Sequence, residues 1–404
     1  MSEGAWLSVV GIGEDGIAGL AAEARRRIEA AEVLVGGRRH LALVPPGDAE
    51  RITWGSPIAA TVARLGSFRG RPTVVLASGD PLWFGIGRLI LRHVPLEEVV
   101  FLPHPSAFQL ACARLGWALE EVVTASLHGR PLTGIRRHLA PGARLLLLTG
   151  GGDAPAAIAR LLEEEGLGGA RMTVLFHLGG SREGRWSGAV LEARGRSFAK
   201  LNLVALEIPG ESALPRAALT PGRGEALFAH DGNITKAEVR AITLAALAPQ
   251  PGELLWDVGA GSGSVAVEWL RAGPGMRAAA IERRPERAAR IRENAARFGV
   301  PELEVIEGEA PAALPGGAAP DAIFLGGGLA AAGLLDACFV RLRRGGRLVA
   351  NAVTPRGEAA LLRFHEAHGG ELVRIQIARS GSRAEGRPWQ ASAPVTQLRV
   401  VRPR

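Results

Sequence analysis

Short apolar runs alternate with helix-like patterns along the 404 residues of the chain. Apolar runs of about four to eight residues, bounded by glycine or proline, are typical of buried strands. In the first half they are WLSVVGIG, RPTVVLASG, EEVVFLP, ARLLLLTG, MTVLFHLG and LNLVALEI, and in the second half ELLWDVGA, MRAAAIE, LEVIEG, DAIFLGG, GRLVANAV, LVRIQIARS and VTQLRVVRP. Because strand and helix signals alternate, the pattern predicts α/β folds with largely parallel, helix-covered sheets.

A stretch without periodic apolar positions interrupts this alternation between residues 209 and 224. Its sequence, PGESALPRAALTPGRG, has the proline and glycine content typical of a linker. Strand and helix signals begin again after it, and 404 residues suffice for two or three domains of about 150 residues. We therefore predict an α/β domain over 1–209, a linker over 210–224 and a second α/β domain over 225–404.

The chain is basic, with a formal charge of +8 and a pI near 10.9. A basic excess can indicate nucleic-acid binding, because clustered lysine and arginine neutralise phosphates. Here Lys200 and Lys236 are the only lysines, and glutamates lie between the arginines, as in ARRRIEAAE and IERRPERAARIRE. This mixture is typical of solvated helix faces. We expect no nucleic-acid partner, and an anionic small substrate would suit the charge.

The two cysteines, Cys112 and Cys338, have no histidine neighbours at metal-ligand intervals, so we expect buried thiols and no metal site. The chain does not open with a basic segment followed by an apolar signal region. No apolar run approaches the roughly eighteen residues that a membrane span requires. These features lead us to expect a cytoplasmic protein with no membrane partner. We also expect a homo-oligomer.

A glycine-rich loop follows the apolar run ELLWDV in the second half. In DVGAGSGSV, Gly259, Gly261 and Gly263 allow the backbone to approach a ligand closely, and a helix is predicted to start near Ser264. The next predicted strand ends at Glu282, where a carboxylate can accept hydrogen bonds from ribose hydroxyls. The sequence therefore predicts a nucleotide-like ligand at this loop.

The details of the loop favour S-adenosylmethionine over a dinucleotide. The sequence G-A-G-S-G lacks the third glycine of G-x-G-x-x-G, which lets a helix pack over a pyrophosphate. The carboxylate of Asp257 at the strand end would repel a pyrophosphate, whereas it would attract a sulfonium or an ammonium group.

This half of the chain resembles the Rossmann-like methyltransferases. More narrowly, NITKAEVRAITLAAL, DVGAGSGSVAVEW, GEAP, DAIFLGGG and GRLVANAVT, in this order, resemble the decarboxylating methyltransferase of corrin biosynthesis that acts at carbon 15. The resemblance spans about 231–394 and includes a G-x-x-W-x-A-x-x-P-V stretch that starts at Gly386. It implies donor contacts from Thr235, Asp257, Gly259, Ala260, Gly261, Ser262, Gly263, Glu282, Glu309 and Ala310. Thr235 is also predicted to cap the following helix, because Thr-Lys-Ala-Glu at 235–238 has the pattern of a capping box with Glu238.

Enzymes that methylate the exocyclic nitrogens of bases usually have an acidic or amide residue with Pro-Pro-Tyr after the fourth strand, but here the stretch is FLGGGLAA and the chain has no tyrosine. No cysteine follows this strand as a nucleophile for pyrimidine carbons either. The acceptor is therefore expected to be a carbon that is already electron-rich. Decarboxylation requires a proton donor, and the candidates are Asp231, Lys236 and Asn351. Residues Gly326, Gly327 and Gly328 could offer backbone N–H groups to a substrate carboxylate. We also expect Trp389 to contact the substrate.

The first half contains VVGIGEDG, which satisfies G-x-G-x-x-G at Gly11, Gly13 and Gly16. Taken alone, this motif predicts a dinucleotide. However, Glu32 precedes the next apolar run, VLVGG, and no carboxylate closes that strand. Other stretches support a different interpretation, namely LASGDPLWFGIG, PHPSAFQLACARLGW, SLHGRP and LLLLTGGGDAPAAIARLL.

In this order these stretches resemble the tetrapyrrole methyltransferases, with two α/β lobes and the donor folded between them, and most closely the corrin enzyme that acts at carbon 5. The resemblance covers about 6–208. It implies that the donor contacts Gly79, Asp80, Pro81, Ser106 and Ala107, and that the substrate contacts Gly11 and Gly13. The chain departs from the family pattern at Glu14, where proline is common, and at FHLGGSRE, which puts catalytic use of His177 or Glu183 in doubt. His128 is a candidate proton carrier.

Together the two resemblances imply an α/β enzyme with two unrelated methyltransferase folds. It would bind two S-adenosylmethionines per chain, methylate an acidic tetrapyrrole at carbons 5 and 15, and remove the carboxyl group of the ring-C acetate, converting precorrin-6B to precorrin-8X. Two alternatives stay open from the residues alone. One is an RNA base methyltransferase with an accessory N-terminal domain, and the other is an oxidoreductase that uses NAD(P).

Overall fold

The computed structural model describes residues 4–380 and 389–404, and the chain divides into two compact units. The first unit comprises 1–130 and 141–212, and the second comprises 131–140 and 213–404. Within the described ranges, no helix is both long and apolar enough to span a bilayer, and no three His, Cys, Asp or Glu side chains form a metal-binding group. Cys112 and Cys338 are buried free thiols, as predicted.

The first sheet of the first unit is wholly parallel, with strand order β3-β2-β4-β1-β5. Its strands are β1 (Leu7–Ile12), β2 (Val33–Gly36), β3 (Glu50–Thr53), β4 (Thr73–Ser78) and β5 (Val99–Leu102). Every residue of β1 is buried, because helices cover both faces of the sheet. The predicted strands in WLSVVGIG, RPTVVLASG and EEVVFLP are confirmed.

The second sheet of this unit has the order β6-β7-β10-β8-β9. Its strands are β6 (Val123–Ser126), β7 (Arg144–Leu148), β8 (Arg171–Phe176), β9 (Gly184–Ala189) and β10 (Asn202–Glu207). Only β6 and β7 pair in parallel, and the other pairs are antiparallel. The expectation of a largely parallel sheet is wrong here, because hairpins and antiparallel returns replace helical crossovers. The helices of the unit are α1 (Ala22–Glu29), α2 (Arg38–Ala42), α3 (Ile58–Ala63), α4 (Gly87–Ile90), α5 (Ala107–Leu115) and α6 (Ala154–Glu164).

The second unit contains a seven-stranded sheet with the order β13-β12-β11-β14-β15-β19-β16. Its helices are α7 (Ala237–Leu247), α8 (Ser264–Leu270), α9 (Pro285–Arg297), α10 (Leu334–Arg341) and α11 (Pro355–His368). Its strands are β11 (Leu254–Val258), β12 (Arg277–Glu282), β13 (Glu304–Glu307), β14 (Ala322–Leu325), β15 (Arg347–Ala352), β16 (Glu371–Ile375) and β19 (Val395–Val401), and a separate ribbon pairs β17 (Ala378–Ser380) with β18 (Trp389–Ala391). Strands β11 to β15 are parallel and β19 is antiparallel to both neighbours. The chain order reverses at β11, where a doubly wound sheet forms its ligand crevice.

A buried ion pair anchors the start of the second unit. The Glu268 carboxylate on α8 accepts hydrogen bonds from the backbone N–H groups of Gly222, at 2.8 Å, and Arg223, at 3.0 Å. The Nε of Arg240 lies 3.1 Å from the same carboxylate, and both side chains are fully buried. Residues 213–224 of the predicted linker therefore pack into the second unit.

A second segment, 131–140, also belongs to the second unit although the chain surrounding it builds the first. It contains the 3₁₀ helix Leu132–His138, where Arg137 donates to the Glu302 carboxylate at 2.6 Å. A Cβ atom on Gly299 would lie 2.2 Å from the backbone nitrogen of Arg137, so this contact requires glycine. Nothing in the apolar pattern of the sequence distinguishes this segment from its neighbours.

Candidate functional site

The loop between β11 and α8 is built on three glycines in the left-handed region. Gly259, Gly261 and Gly263 have φ of 67°, 61° and 71°, which other residues adopt at a cost. A Cβ on Gly259 would lie 3.1 Å from the carbonyl oxygen of Gly327, and a Cβ on Gly263 would lie 2.7 Å from Ile291. As predicted, Gly263 immediately precedes the helix, which begins at Ser264. The loop is therefore fixed between β14 on one side and α9 on the other.

Two polar side chains of this loop are buried with an unsatisfied atom. Asp257 accepts a hydrogen bond from Ala266 N–H at 3.1 Å through Oδ2, but its Oδ1 has no partner in the described structure. The Ser262 hydroxyl also has none. Burial raises the pKa of Asp257 to about 7, the Ala266 hydrogen bond opposes this shift, and the nearby Glu282 carboxylate adds to it. A cationic ligand group at this position would satisfy Oδ1 and favour the ionised carboxylate.

Glu282 ends β12 as predicted, and its carboxylate is buried against the same loop. Its Oε2 accepts from Gly261 N–H at 2.9 Å and its Oε1 accepts from Arg284 N–H at 3.0 Å. Each carboxylate oxygen keeps a further lone pair for a ligand hydroxyl. Ala260 belongs to the same loop, and its N–H donates to Ile281 across 3.1 Å.

Thr235 does not cap α7, so the capping-box prediction is wrong. The cap residue is Lys236, and no side chain of the cap makes a capping hydrogen bond. The N–H of Ala237 donates instead to Glu225 Oε1 at 3.2 Å, while Glu238 accepts from Arg379 at 3.0 Å. Glu225, in the 3₁₀ turn Glu225–Leu227, accepts the hydrogen bond from the first N–H of α7, and the helix begins at Ala237, two residues after Thr235.

The other predicted donor contacts of this unit are near β13. Gly308 N–H donates to the Glu282 carbonyl at 3.0 Å, which brings the following Glu309 and Ala310 close to the end of β12. The Glu309 side chain is exposed and lies 3.3 Å from Arg283. Contact of either residue with the donor stays a prediction.

The three candidate proton donors have different surroundings. Asp231 accepts from Arg287 at 2.9 Å and lies 3.2 Å from Arg290, so the Arg287 hydrogen bond, helped by Asn233, holds the pKa of Asp231 far below its ordinary value. A carboxylate that stays ionised is a poor acid near neutral pH, which argues against this role. Lys236 is exposed at the start of α7.

Asn351 is committed to a buried network of side chains. Its Nδ2 donates to Thr243 Oγ1 at 2.8 Å, and its Oδ1 accepts from Gln397 at 2.9 Å. Because Thr243 donates in turn to the Val239 carbonyl, the network joins α7, β15 and β19. This arrangement favours a structural role for Asn351.

The predicted substrate residues of the second unit lie at its surface or at the end of β14. The N–H of Gly326 already donates to the Val258 carbonyl at 3.1 Å, so only Gly327 and Gly328 retain the predicted nest-like role. Trp389 is 73% exposed at the start of β18. The residue that begins the predicted G-x-x-W motif, Gly386, lies outside the described residues.

In the first unit, the carboxyl ends of β1, β4 and β5 meet at two glycines. A Cβ on Gly11 would lie 1.8 Å from the Gly79 carbonyl oxygen, and a Cβ on Gly79, whose φ is 54°, would lie 2.8 Å from the Cα of Ser106. Ser106 caps α5 through a complete capping box with Gln109. Asp80 Oδ1 accepts from Leu82 N–H at 2.8 Å and thereby fixes the turn that follows Gly79.

A cavity of about 700 Å³ opens beside these loops, within the size range of small-molecule sites. Predicted site residues in its lining are Gly13, Gly79, Ser106, Ala107 and His128, whereas Gly11, Asp80 and Pro81 do not line it. Apolar side chains from both sheets form most of the wall, including the aromatic residues Trp54, Trp83, Phe84 and Phe108. His128 is exposed and donates its N–H to Ser126 Oγ at 3.4 Å.

One end of this cavity is a polar network that no sequence motif predicts. Glu14 Oε1 accepts from Arg39 at 2.5 Å, and its Oε2 is hydrogen-bonded to His177 Nδ1 at 3.0 Å. Burial opposes the ionisation of Glu14, but the hydrogen bonds from His177 and Arg39 outweigh it and lower its pKa. The two positions at which the chain departs from the family pattern are therefore partners of each other. The other departing residue, Glu183, is bound to Arg114 at 2.5 Å.

The same network continues to His40 and Ser78. His40 Nε2 lies 2.8 Å from Ser78 Oγ and 2.9 Å from the guanidinium of Arg39. Burial, reinforced by Arg39, lowers the pKa of His40 to about 4, so this imidazole is neutral near pH 7. The sequence offered no signal for it, because GGRRHLA has the composition of a solvated helix.

Related bacterial proteins are similar in sequence to almost the whole chain. A precorrin-6Y C(5,15)-methyltransferase (decarboxylating) of Sinorhizobium sp. is 50% identical over 395 residues, which cover 97% of this chain and 95% of that protein. One of Mycobacterium tuberculosis is 43% identical and covers 98% of this chain and 100% of that protein. The chain belongs to the precorrin-6Y C(5,15)-methyltransferase (decarboxylating) family.

Each half of this family member matches a family model of its own. Residues 7–192 match the tetrapyrrole (corrin/porphyrin) methylases, and residues 226–402 match the precorrin methyltransferase domain. Among solved structures, the C-terminal domain of the precorrin-6Y C5,15-methyltransferase from Rhodobacter capsulatus is 48% identical and covers 46% of this chain and 100% of that domain, with a TM-score of 0.43. The two family matches confirm the predicted fold class, two methyltransferase folds in series.

Proposed function

We propose that this chain transfers methyl groups from S-adenosylmethionine to carbons 5 and 15 of precorrin-6B and removes the carboxyl group of the ring-C acetate, producing precorrin-8X. The observation that carries the proposal is 50% identity over 97% of the chain to a relative named for these steps. The C(5)- and C(15)-methyltransferases of Salmonella typhimurium, which are separate proteins, each match 42% of the chain at 36% and 34% identity.

We assign carbon 5 to the domain 1–209 and carbon 15, with decarboxylation, to the domain 225–404. The family models matched by 7–192 and 226–402 support this division. The Salmonella C(15) enzyme is named for cobalt-precorrin-6B and the C(5) enzyme for cobalt-precorrin-7. These names support an order in which carbon 15 is methylated first.

The residues of the second unit fit S-adenosylmethionine. Two buried carboxylates, Asp257 and Glu282, face the glycine loop, and Asp257 Oδ1 has no protein partner in the described structure. A sulfonium or ammonium group would pair with Asp257, and ribose hydroxyls would donate to Glu282. A dinucleotide would instead place its pyrophosphate beside the Asp257 carboxylate, which would repel it. When bound, the donor supplies an electrophilic methyl group.

In the first unit, the donor would lie between the carboxyl end of β4 and the capped start of α5. It would contact Gly79 to Pro81 on one side and Ser106 and Ala107 on the other. Gly79, Ser106 and Ala107 line one part of the large cavity, and its aromatic and aliphatic wall can cover the apolar faces of a ring system and exclude water. Two donors per chain and a homo-oligomer belong to this proposal.

Little acid–base machinery is required for the methyl transfers themselves, because an enamine-like carbon of a reduced tetrapyrrole is nucleophilic. The protein contributes alignment, and holding acceptor and methyl in line can supply about 7–11 kcal/mol. In the first unit, His128 is retained as a candidate proton carrier at the cavity. In the second, Lys236 is retained for decarboxylation, whereas Asp231 and Asn351 are committed to other partners.

The decisive experiment incubates the full chain with precorrin-6B and S-adenosylmethionine and follows the product by mass spectrometry. The expected product has gained two methyl groups and lost one carbon dioxide. Calorimetry with S-adenosylhomocysteine should give two sites per chain. A product with one methyl group only, or a single binding site, would contradict the assignment of one donor to each domain.

A further inference from the structure

Two neighbouring cavities of the first unit share a wall. Beside the cavity of about 700 Å³ lies a second one of about 450 Å³. Glu14, Arg39, His177, Lys200 and Leu201 line both of them. The smaller cavity therefore adjoins the larger one at its polar end, where Glu14, Arg39 and His177 lie.

Most of the charged residues that line the smaller cavity are cationic. Arg39, Arg182 and Lys200 carry three positive charges there, and Glu14 carries the single negative charge of the lining. Glu14 is already engaged, because it accepts from Arg39 at 2.5 Å and is hydrogen-bonded to His177 at 3.0 Å. The charge of Glu14 thus compensates Arg39 and leaves the other two cations without an anion.

Arg182 and Lys200 have no hydrogen-bond or ion-pair partner among the described residues. Both are exposed to solvent at the cavity, so binding an anion would not first require breaking a protein contact. An arginine can bind a carboxylate through two parallel N–H···O hydrogen bonds, and a lysine contributes a point charge on a flexible side chain. The pair is therefore suited to carboxylate groups.

We propose that Arg182 and Lys200 bind carboxylate side chains at the rim of the tetrapyrrole, while its ring system occupies the larger cavity. The proposal rests on the proposed function, whose substrate is a ring with acidic side chains. The methyl donor also has a carboxylate, but an ammonium group lies beside it and a sulfonium follows, and the cationic wall would repel both. A substrate with several carboxylates and no cation meets no such repulsion.

The test uses the full chain with the variants Arg182→Gln, Lys200→Gln and their combination. The substrate is the ring already methylated at carbon 15 and decarboxylated, and the readout is the second methylation. We expect KM to rise about tenfold in each single variant and about a hundredfold in the double variant, with kcat nearly unchanged. Added salt should raise KM for the unmodified chain much more than for the double variant.

The matched control is Arg160→Gln, because Arg160 is exposed on α6 and does not line either cavity. The charge-conserving variant Arg182→Lys keeps the charge but not the two parallel donors, so it should recover only part of the lost affinity. An unchanged KM in the double variant would overturn the inference, as would a loss of S-adenosylhomocysteine affinity, which would assign the cations to the donor. A failure of the unmodified chain to methylate the ring would reject the proposed function itself.

Discussion

The backbone N–H of Gly261 donates to Glu282 Oε2 at 2.9 Å across 21 positions of sequence. Gly261 lies in the loop that follows β11, with a φ of 61°, and Glu282 ends β12, the parallel neighbour of β11. One side chain therefore both fixes the glycine loop and offers free lone pairs to a ligand. Loop geometry and donor recognition are coupled at Glu282.

Replacing Glu282 by Gln should weaken donor binding in the second unit by about tenfold to a hundredfold. The glutamine side chain has only one acceptor oxygen, so either a ribose hydroxyl or a backbone N–H loses its hydrogen bond to a charged oxygen. The loss of such a hydrogen bond costs about 1.5–3 kcal/mol of binding free energy. Calorimetry with S-adenosylhomocysteine should show one weakened site and one unchanged site. Glu286→Gln, on the exposed start of α9, is the control; equal effects of both variants would contradict the assignment.

The protonation of Asp257 should make donor binding depend on pH. Burial raises the pKa of Asp257 from 3.8 to about 7, above its value in the unfolded chain. The folded, donor-free protein therefore holds this proton between about pH 4 and 7, and its stability falls as pH rises through that window. A cationic donor binds the ionised form, so its affinity should fall as pH decreases below about 7.

Titration of S-adenosylmethionine at pH 6 and pH 8 checks this expectation. Asp257→Asn should remove the difference between the two pH values at the second-unit site and lower its affinity at pH 8 by about tenfold. The same variant should raise the thermal stability of the donor-free protein at pH 8, because it removes a buried charge. A pH dependence that persists in Asp257→Asn would assign the proton to another group.

The sequence could predict the central strands of the first unit and the edge strand β5, but not the three other edge strands. Strands β1 and β4 are apolar runs because both faces are buried. Strands β3, β6 and β9, which were not predicted, all lie at the edge of a sheet and contain exposed or half-buried polar residues, so they have no apolar run to detect. The apolar pattern of a segment reports how far its side chains are buried, and the side chains of these three strands are at most partly buried.

The same distinction applies to the site. The loop from Gly259 to Gly263 and the acidic strand end at Glu282 could be predicted, because β–turn–α geometry fixes their spacing. The contact between Glu14 and His177 joins residues 163 positions apart, in loops that follow strands of different sheets, and no local spacing encodes it. The role of Thr235 as a cap failed for a similar reason, since the acceptor for the first turn of α7 comes from Glu225, in the preceding 3₁₀ turn.

Removing the charge of Glu268 should destabilise the second unit by about 3–5 kcal/mol, because Arg240 would remain buried without a counter-ion. Gly222 and Arg223 would also lose their acceptor, so cleavage by a protease within 213–224 should become faster. Urea unfolding of Glu268→Gln measures the first effect. Glu293→Gln, which breaks an exposed pair with Arg297 on α9, should cost at most about 0.5 kcal/mol; a comparable loss in both variants would contradict a special role for the buried pair.

The hydrogen bond between Glu14 and His177 should couple the two sheets of the first unit. Both side chains are mostly buried, so their interaction is less screened than that of a surface pair. A double-mutant cycle with Glu14→Gln and His177→Asn should give a coupling energy of about 0.5–3 kcal/mol in unfolding experiments. The exposed pair Arg194 and Glu163 in the same unit should give less than about 1 kcal/mol.

The same cycle has a functional readout, because Glu14 and His177 line the cavity at which carbon 5 is proposed to react. Each single variant should slow the second methylation severalfold and leave the methylation and decarboxylation at carbon 15 unchanged, since that site belongs to the other unit. The double variant should be no slower than the worse single variant if the two residues act as one element. Independent, multiplying losses in the two variants would show instead that each side chain has a separate contact with the substrate.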